Sequence, residues 1–344
     1  MTTRWRFVGA VLVLAGVTAC GAAQPTSTDS FEAQALPPPT TATGSPSPTT
    51  THTLTKPSLP VPSMRSGGVG ATIGGCPLFP ADNPWRQDVS HTALNAHSAA
   101  WVASIGSTAH LHPDFGSNPS YGIPFSVVPS SQAKVKITFN AYGDESNPGP
   151  YPIPATAKIE AGGDRHVLVA SGDCHLYELY GAARSGSGWT AASGAVFDLR
   201  SNVLRPAGWT SADAAGLPIL PGLVRREEVA AGHIDHALRF TVPSSQRGYI
   251  HPATHSAGSS TSSSLPPMGA RFRLKASYDI SRFHGASLVI LKALKTYGML
   301  VADNGSGWYL SGATDSGWND DDLNQLKSVP GSAFEAVNTG AILR

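Results

Sequence analysis

Cysteine is scarce in this chain. Three occur in 344 residues, Cys20, Cys76 and Cys174, and no two are spaced as CxxC. That spacing leaves no basis for a cysteine-built zinc site or a thioredoxin-like redox centre. Charge is scarce as well: Asp, Glu, Lys and Arg make up 14% of the residues, 24 cations against 23 anions, with no basic run. Such a balance argues against a nucleic-acid partner. There is no HExxH and no GxSxG, so neither a helical zinc-protease pair nor the nucleophile elbow of the α/β-hydrolases finds support. Glycine and proline are abundant, 36 and 28, which suits a turn-rich β protein better than a helical bundle.

The first residues read as an export signal. Arg4 and Arg6 precede an apolar run, Phe7 to Val17, too short for a permanent membrane span. The run ends in Gly16-Val17-Thr18-Ala19-Cys20, which resembles the lipobox of bacterial lipoprotein signal peptides. That resemblance implies cleavage after residue 19 and a lipid on Cys20. Its two acyl chains, at about 0.8 kcal/mol per buried CH₂, would hold the protein to the outer face of the cell membrane. Residues 20–75 are then a Pro/Thr/Ser-rich tether with too few large apolar groups to offset the entropy of folding. As a coil it reaches roughly 40 Å. With Cys20 lipidated, Cys76 and Cys174 remain as an even pair in an oxidising compartment, and a disulfide between them is expected.

Residues 76–344 are expected to form one globular domain. Val135, Ile137 and Phe139 alternate with Lys134, Lys136 and Thr138 as on a half-buried strand. His166–Ala170 and Leu176–Tyr180 flank Ser171-Gly172-Asp173 as a hairpin, with Cys174 placed on its second strand. Further strands are expected at residues 195–199, 237–242, 271–276 and 299–302, the last turning into Trp308-Tyr309-Leu310. Helices are fewer: residues 98–105, residues 287–297 with Gly298 as the stop, and residues 320–329 with three acids at its start. The pattern points to a mainly β fold, a β-sandwich or jelly-roll-like domain with a few peripheral helices, with a mixed α+β domain as the alternative.

Several groups could carry chemistry. Asp164 and His166 share a strand face by parity, so the acid could orient the imidazole. Glu178 stands in Leu176-Tyr177-Glu178-Leu179-Tyr180, a run otherwise made for burial, where a carboxylate is either paired or tuned upward for acid/base work. His236 joins Asp164, His166 and Glu178 as a catalytic candidate. Arg271-Phe272-Arg273-Leu274-Lys275 sets its cations on one face, and with Arg239 they would form a basic platform for an acidic sugar. Trp308 and Tyr309 offer rings that stack on sugars. His233, His236, His251 and His255 give a weaker zinc alternative; no metal or other cofactor is assigned.

Six blocks together carry a wider resemblance. They are FPADNPW at 79–85, LHPDFG at 111–116, DESNPGPYPIP at 144–154, DRHVLV at 164–169, HALRFTVP at 236–243 and LPPMG at 265–269. They resemble a family of exported bacterial proteins whose members sometimes carry carbohydrate-binding modules. The family implies no catalytic residues and only tilts the reading toward glycans. Three functions follow in order: an extracytoplasmic polysaccharide hydrolase or lyase, a non-catalytic carbohydrate- or wall-binding lipoprotein, and a metal-dependent hydrolase on the histidines. The partners implied are the bilayer, through Cys20, and a cell-wall or environmental polysaccharide.

Overall fold

Val167–Ser171 and His175–Tyr180 are nearly continuous apolar runs, the pattern of strands covered on both faces. The computed structural model, which describes residues 72–344, buries every side chain of the first run and most of the second. These strands, β6 and β7, form the hairpin expected from their turn. With β4 (Phe125–Val128) and β10 (Ser193–Asp198) they make a four-stranded sheet in the order β10-β7-β6-β4. Side-chain alternation sends Leu168, Ala170 and Leu176 into one hydrophobic core. Val167, Val169, Tyr177 and Leu179 enter a second, smaller core. That smaller core is closed by a three-stranded sheet of β5 (Ile137–Phe139), β9 (Gly188–Ala191) and β8 (Ala183–Ser185).

The larger core lies against a six-stranded sheet. Its order is β15 (Phe334–Val337), β12 (Arg271–Leu274), β13 (Met299–Asn304), β11 (Leu238–Val242), β14 (Tyr309–Leu310) and β3 (His112–Pro113). The protein is thus mainly β, in stacked sheets. The pairing is mixed, since β4 runs parallel to β6, β11 to β13, β14 to β3 and β5 to β9.

Among the described residues, four short α-helices lie around the sheets. They are α1 (Ser98–Ile105), α2 (Arg226–Ala231), α3 (Gly285–Thr296) and α4 (Asp320–Asn324). α1 buries Trp101, Val102 and Ile105 against the six-stranded sheet. α3 buries Ala286, Ile290, Leu291 and Leu294, one helical stripe, and ends before Gly298. There φ is +67° and a Cβ would lie 2.3 Å from the Phe272 carbonyl oxygen, so only glycine fits. The Asp322 carboxylate of α4 caps the start of α3, accepting from the amides of Ala286 and Ser287 at 2.6 and 3.3 Å.

The Cys76–Cys174 disulfide is present, with the two Cα atoms 5.3 Å apart. Cys174 lies in the β6–β7 turn, with φ of +66°, rather than on the second strand as expected. Its partner belongs to a two-stranded hairpin, β1 (Thr72–Ile73) and β2 (Cys76–Pro77). The expected signal peptide, lipidated Cys20 and most of the tether lie outside the described residues.

Candidate functional site

Four half-buried side chains stand in one row across the six-stranded sheet. Asp303 is opposite Thr241, Thr241 is opposite Tyr309, and Tyr309 is opposite His112. Residues in such a row share a face. A bulge in β13 places Asp303 there: the register shifts between Phe240 and Thr241, and Ala302 is left without a partner. Without that extra residue Ala302 would face Thr241 and Asp303 would turn away. The His112 and Tyr309 rings stack, their centroids 4.2 Å apart and their planes 17° from parallel. Burial and the nearby Lys327 charge hold His112 below the ordinary imidazole value.

One step along the strands on the same face lie Arg239, Ser311 and Asp114. Arg239 Nη1 donates to Ser311 Oγ at 2.8 Å. Its Nε and Nη2 donate to Asp213 Oδ2 at 3.1 and 2.8 Å. Burial opposes the Arg239 charge, but Asp213, Asp303 and Glu160 outweigh it and hold the guanidinium above its ordinary range. Burial also pushes the Asp213 carboxyl up against the pull of Arg239. Asp303 is raised to about 6 by burial and then by the charge of Asp213, with Arg239 opposing. Partial burial raises Asp114 as well, while His112 and Arg239 act the other way.

The segment leading into β6 supplies the remaining groups. His166 Nδ1 lies 2.6 Å from Glu160 Oε2 and its Nε2 lies 3.0 Å from the Ala212 carbonyl oxygen. Burial favours a neutral Glu160, yet His166 and Arg239 overcome it and hold the carboxylate below its ordinary range. Oε1 of Glu160 takes no hydrogen bond from another side chain or amide among the described residues. Asp164 is exposed, and its charge acts on both His166 and Asp303. Arg239 is bonded to Asp213 and acts by its charge on Asp114, Glu160 and Asp303, of which only Asp303 lies in a strand.

This grouping differs from the sequence expectation at several points. Asp164 and His166 do not share a strand face. β6 begins at Val167, and Arg165 between them has φ of +51°, so Asp164 turns to solvent and His166 inward. Glu178 has no exposed surface. It accepts from the backbone N–H groups of Ile219 and Leu220, and burial pushes it to about 7. It is a structural tie between sheet and loop, not a surface acid. His236 is equally enclosed, with Nε2 3.1 Å from Glu228 Oε1 and Nδ1 2.8 Å from the Ala237 carbonyl oxygen. Neither can touch a polymer without opening the core.

The basic platform does not exist either. Arg239 is buried on Asp213. Arg273 donates to Glu335 and to carbonyls at Val89 and Thr92, and Lys275 donates to the Ser332 carbonyl. These cations are spent on the backbone they hold. Trp308 is a core residue, stacked on Phe240 and Phe334 with its indole N–H donated to Gly106. Tyr309 alone of the expected binding groups lies in the row.

The four histidines of the zinc alternative are engaged apart: His233 with Asp235, His236 with Glu228, and His251 and His255 with the carbonyls of Ala253 and Ala214. Among the described residues no three His, Cys, Asp or Glu side chains are grouped to hold a metal. Sequence reasoning missed Glu160, Asp213, Asp303, Asp114 and His112 as site residues. The 111–116 block contained two of them, but nothing local marks the bulge that turns Asp303 inward.

A surface hollow of about 550 Å³ between α3 and residues 276–281 shares no lining residue with this group. Its Lys295 is bonded to the Ala276 and Tyr278 carbonyls. No protein-family model, curated protein or solved structure matches the chain.

Proposed function

We propose that the domain is a glycan-active enzyme, a polysaccharide hydrolase or lyase, held outside the cytoplasm by a lipid on Cys20. Its acid/base pair is Asp303 and Glu160, in place of Glu178 and His236. One observation carries this reading. Asp303 stands in the surface row with Tyr309, beside the face that carries the buried Arg239–Asp213 pair, and Glu160 is held through Oε2 by His166 with Oε1 left free, an arrangement that raises Asp303 and lowers Glu160. Carboxyl groups separated in this way divide into a proton donor and an ionised partner, the requirement of glycosidic bond cleavage. Asp303 donates to the leaving oxygen, and Glu160, through its free Oε1, activates water or meets the sugar. Tyr309, stacked on His112, gives the sugar ring an apolar surface beside them. The lipobox-like segment at residues 16–20 and the resemblance of the six blocks to exported bacterial proteins are what support the location.

The test is release of reducing ends from a panel of bacterial and plant polysaccharides by the full-length protein. Asp303→Asn and Glu160→Gln are each expected to lower turnover by about a hundredfold or more, with secondary structure retained by circular dichroism. Binding without release would favour the second reading, a carbohydrate-binding lipoprotein. Neither binding nor release on any polymer overturns both.

A further inference from the structure

His166 is almost wholly buried and both of its ring nitrogens face acceptors. Nε2 points at the Ala212 carbonyl oxygen at 3.0 Å, which can only accept, so Nε2 carries a hydrogen. Nδ1 lies 2.6 Å from Glu160 Oε2, and a second proton must sit between them. The backbone N–H of His166 also donates to that oxygen, at 3.2 Å, which favours the ionised carboxylate and leaves the proton on the ring. Ala212 is followed by Asp213, the residue that holds Arg239. A path of contacts therefore runs from Glu160, at the entrance of β6, through His166 and the 212–213 segment to Arg239 on β11.

We propose that His166 is a positioning residue, an imidazolium clamp held by Glu160 that fixes the Ala212–Asp213 segment and through it the placement of Arg239. This deepens the reading of the site, and the clamp's importance for turnover rests on that reading, but its protonation does not. The groups facing the ring are Glu160 and Asp164 from its own segment, Asp213 from the loop, Arg239 from β11, and Glu178 and Tyr180 from β7. Burial opposes the charge and Arg239 adds to that opposition, while Glu160 and Asp164 favour it and prevail, so the ring value is raised. A raised imidazole contributes stability that is complete below its unfolded value and is lost as pH rises through the folded one. The clamp therefore releases Ala212 on the alkaline side, as the ring loses its second proton. On the acid side it releases when Glu160 is protonated, below the ordinary carboxylate range.

Nitrogen NMR of the full-length protein labelled with ¹⁵N-histidine tests this without any substrate. An unperturbed histidine is about 90% neutral at pH 7.5. His166 is expected to show both ring N–H groups there, and Glu160→Gln to shift its protonation equilibrium at least tenfold toward the neutral form. A neutral His166 at pH 7.5 in the unaltered protein overturns the clamp, and so does a titration indifferent to Glu160→Gln. Should that variant not fold, the titration of the unaltered protein decides alone. Failure of the polysaccharide assay would leave this result standing, whereas a neutral His166 would place the shared proton on Glu160 and withdraw the ionised partner as well, leaving Asp303 as the assigned acid.

Discussion

Arg239 and Asp213 meet through two hydrogen bonds to a single carboxylate oxygen, with their side chains only 5% and 0% exposed. A buried pair of this kind is weak as a source of net stability but severe to break, because the survivor is left charged in a dry site. Asp213→Ala is expected to destabilise the domain by about 3–5 kcal/mol. Asp213→Leu combined with Arg239→Met should recover much of that loss while abolishing turnover. Urea denaturation of the singles and the double measures both. If Asp213→Ala costs no more than a surface change, the pair is not desolvated as described.

Glu178 predicts a pH dependence of stability with a definite sign. Its folded value of about 7 lies above the ordinary glutamate value because burial outweighs the two backbone N–H bonds. A raised carboxyl stabilises the fold fully below its unfolded value, and that contribution disappears as pH rises through the folded one. The domain should lose on the order of 3 kcal/mol between about pH 4.5 and pH 7 from this group. Glu178→Gln should flatten that slope and cost about 1–3 kcal/mol by turning an amide NH₂ toward donor N–H groups. Turnover of the folded variant should stay within about threefold. Thermal unfolding across pH is the measurement, and an unchanged slope in the variant would assign it elsewhere.

The elements were far more legible than the site. Amphipathic periods and turn residues place α1, α3, the β6–β7 hairpin and the strands at Leu238, Arg271 and Met299 close to where they lie. Those signals are local, so they survive without knowledge of neighbours. The site depends on what faces what. Arg273 and Lys275 look like a free basic face until residues 89–92 and 332 are known to run over them. Trp308 and Tyr309 are adjacent and aromatic, yet alternation sends one into the core and the other into the row. Of Asp164, His166, Glu178 and His236, His166 alone is hydrogen-bonded into the carboxylate group, through Glu160, while Asp164 acts on it by charge. Asp303 reaches the row by a one-residue bulge, which no periodic pattern announces.

That adjacency gives a sharp contrast. Trp308→Ala removes a ring packed among Phe240, Phe272 and Phe334 and is expected to cost about 3–5 kcal/mol. Tyr309→Ala should cost about 1 kcal/mol or less in stability but weaken glycan affinity about tenfold or more through loss of the stacking face. Differential scanning fluorimetry and isothermal titration with the glycan found active separate the two effects. Reversal of the pattern would remove Tyr309 from the site.

The disulfide closes a segment with a sequence separation of 98 residues. The chain-entropy argument assigns such a loop about 4–5 kcal/mol through restriction of the unfolded state. Cys76→Ser with Cys174→Ser should lower the urea midpoint accordingly, and dithiothreitol should do the same to the unaltered protein. A midpoint indifferent to both would mean that the unfolded chain is already constrained there.

The pH profile of turnover follows from the two displaced carboxylates and tests their roles more directly than their removal does. Asp303 must be protonated to act as the donor, so activity should fall as pH rises past about 6. Glu160 must be ionised, so the acid limb should lie below the ordinary glutamate value. Activity should therefore peak on the mildly acidic side of neutrality. The exposed Asp164 raises Asp303 by its charge. Asp164→Asn is thus expected to move the alkaline limb to lower pH by about half a unit or less, leaving the acid limb in place and the fold intact. An alkaline limb that does not move in this variant, or one that lies above pH 8 in the unaltered protein, would remove Asp303 from the role of acid. The donor would then have to be sought in Asp114, the other rim carboxyl raised by burial.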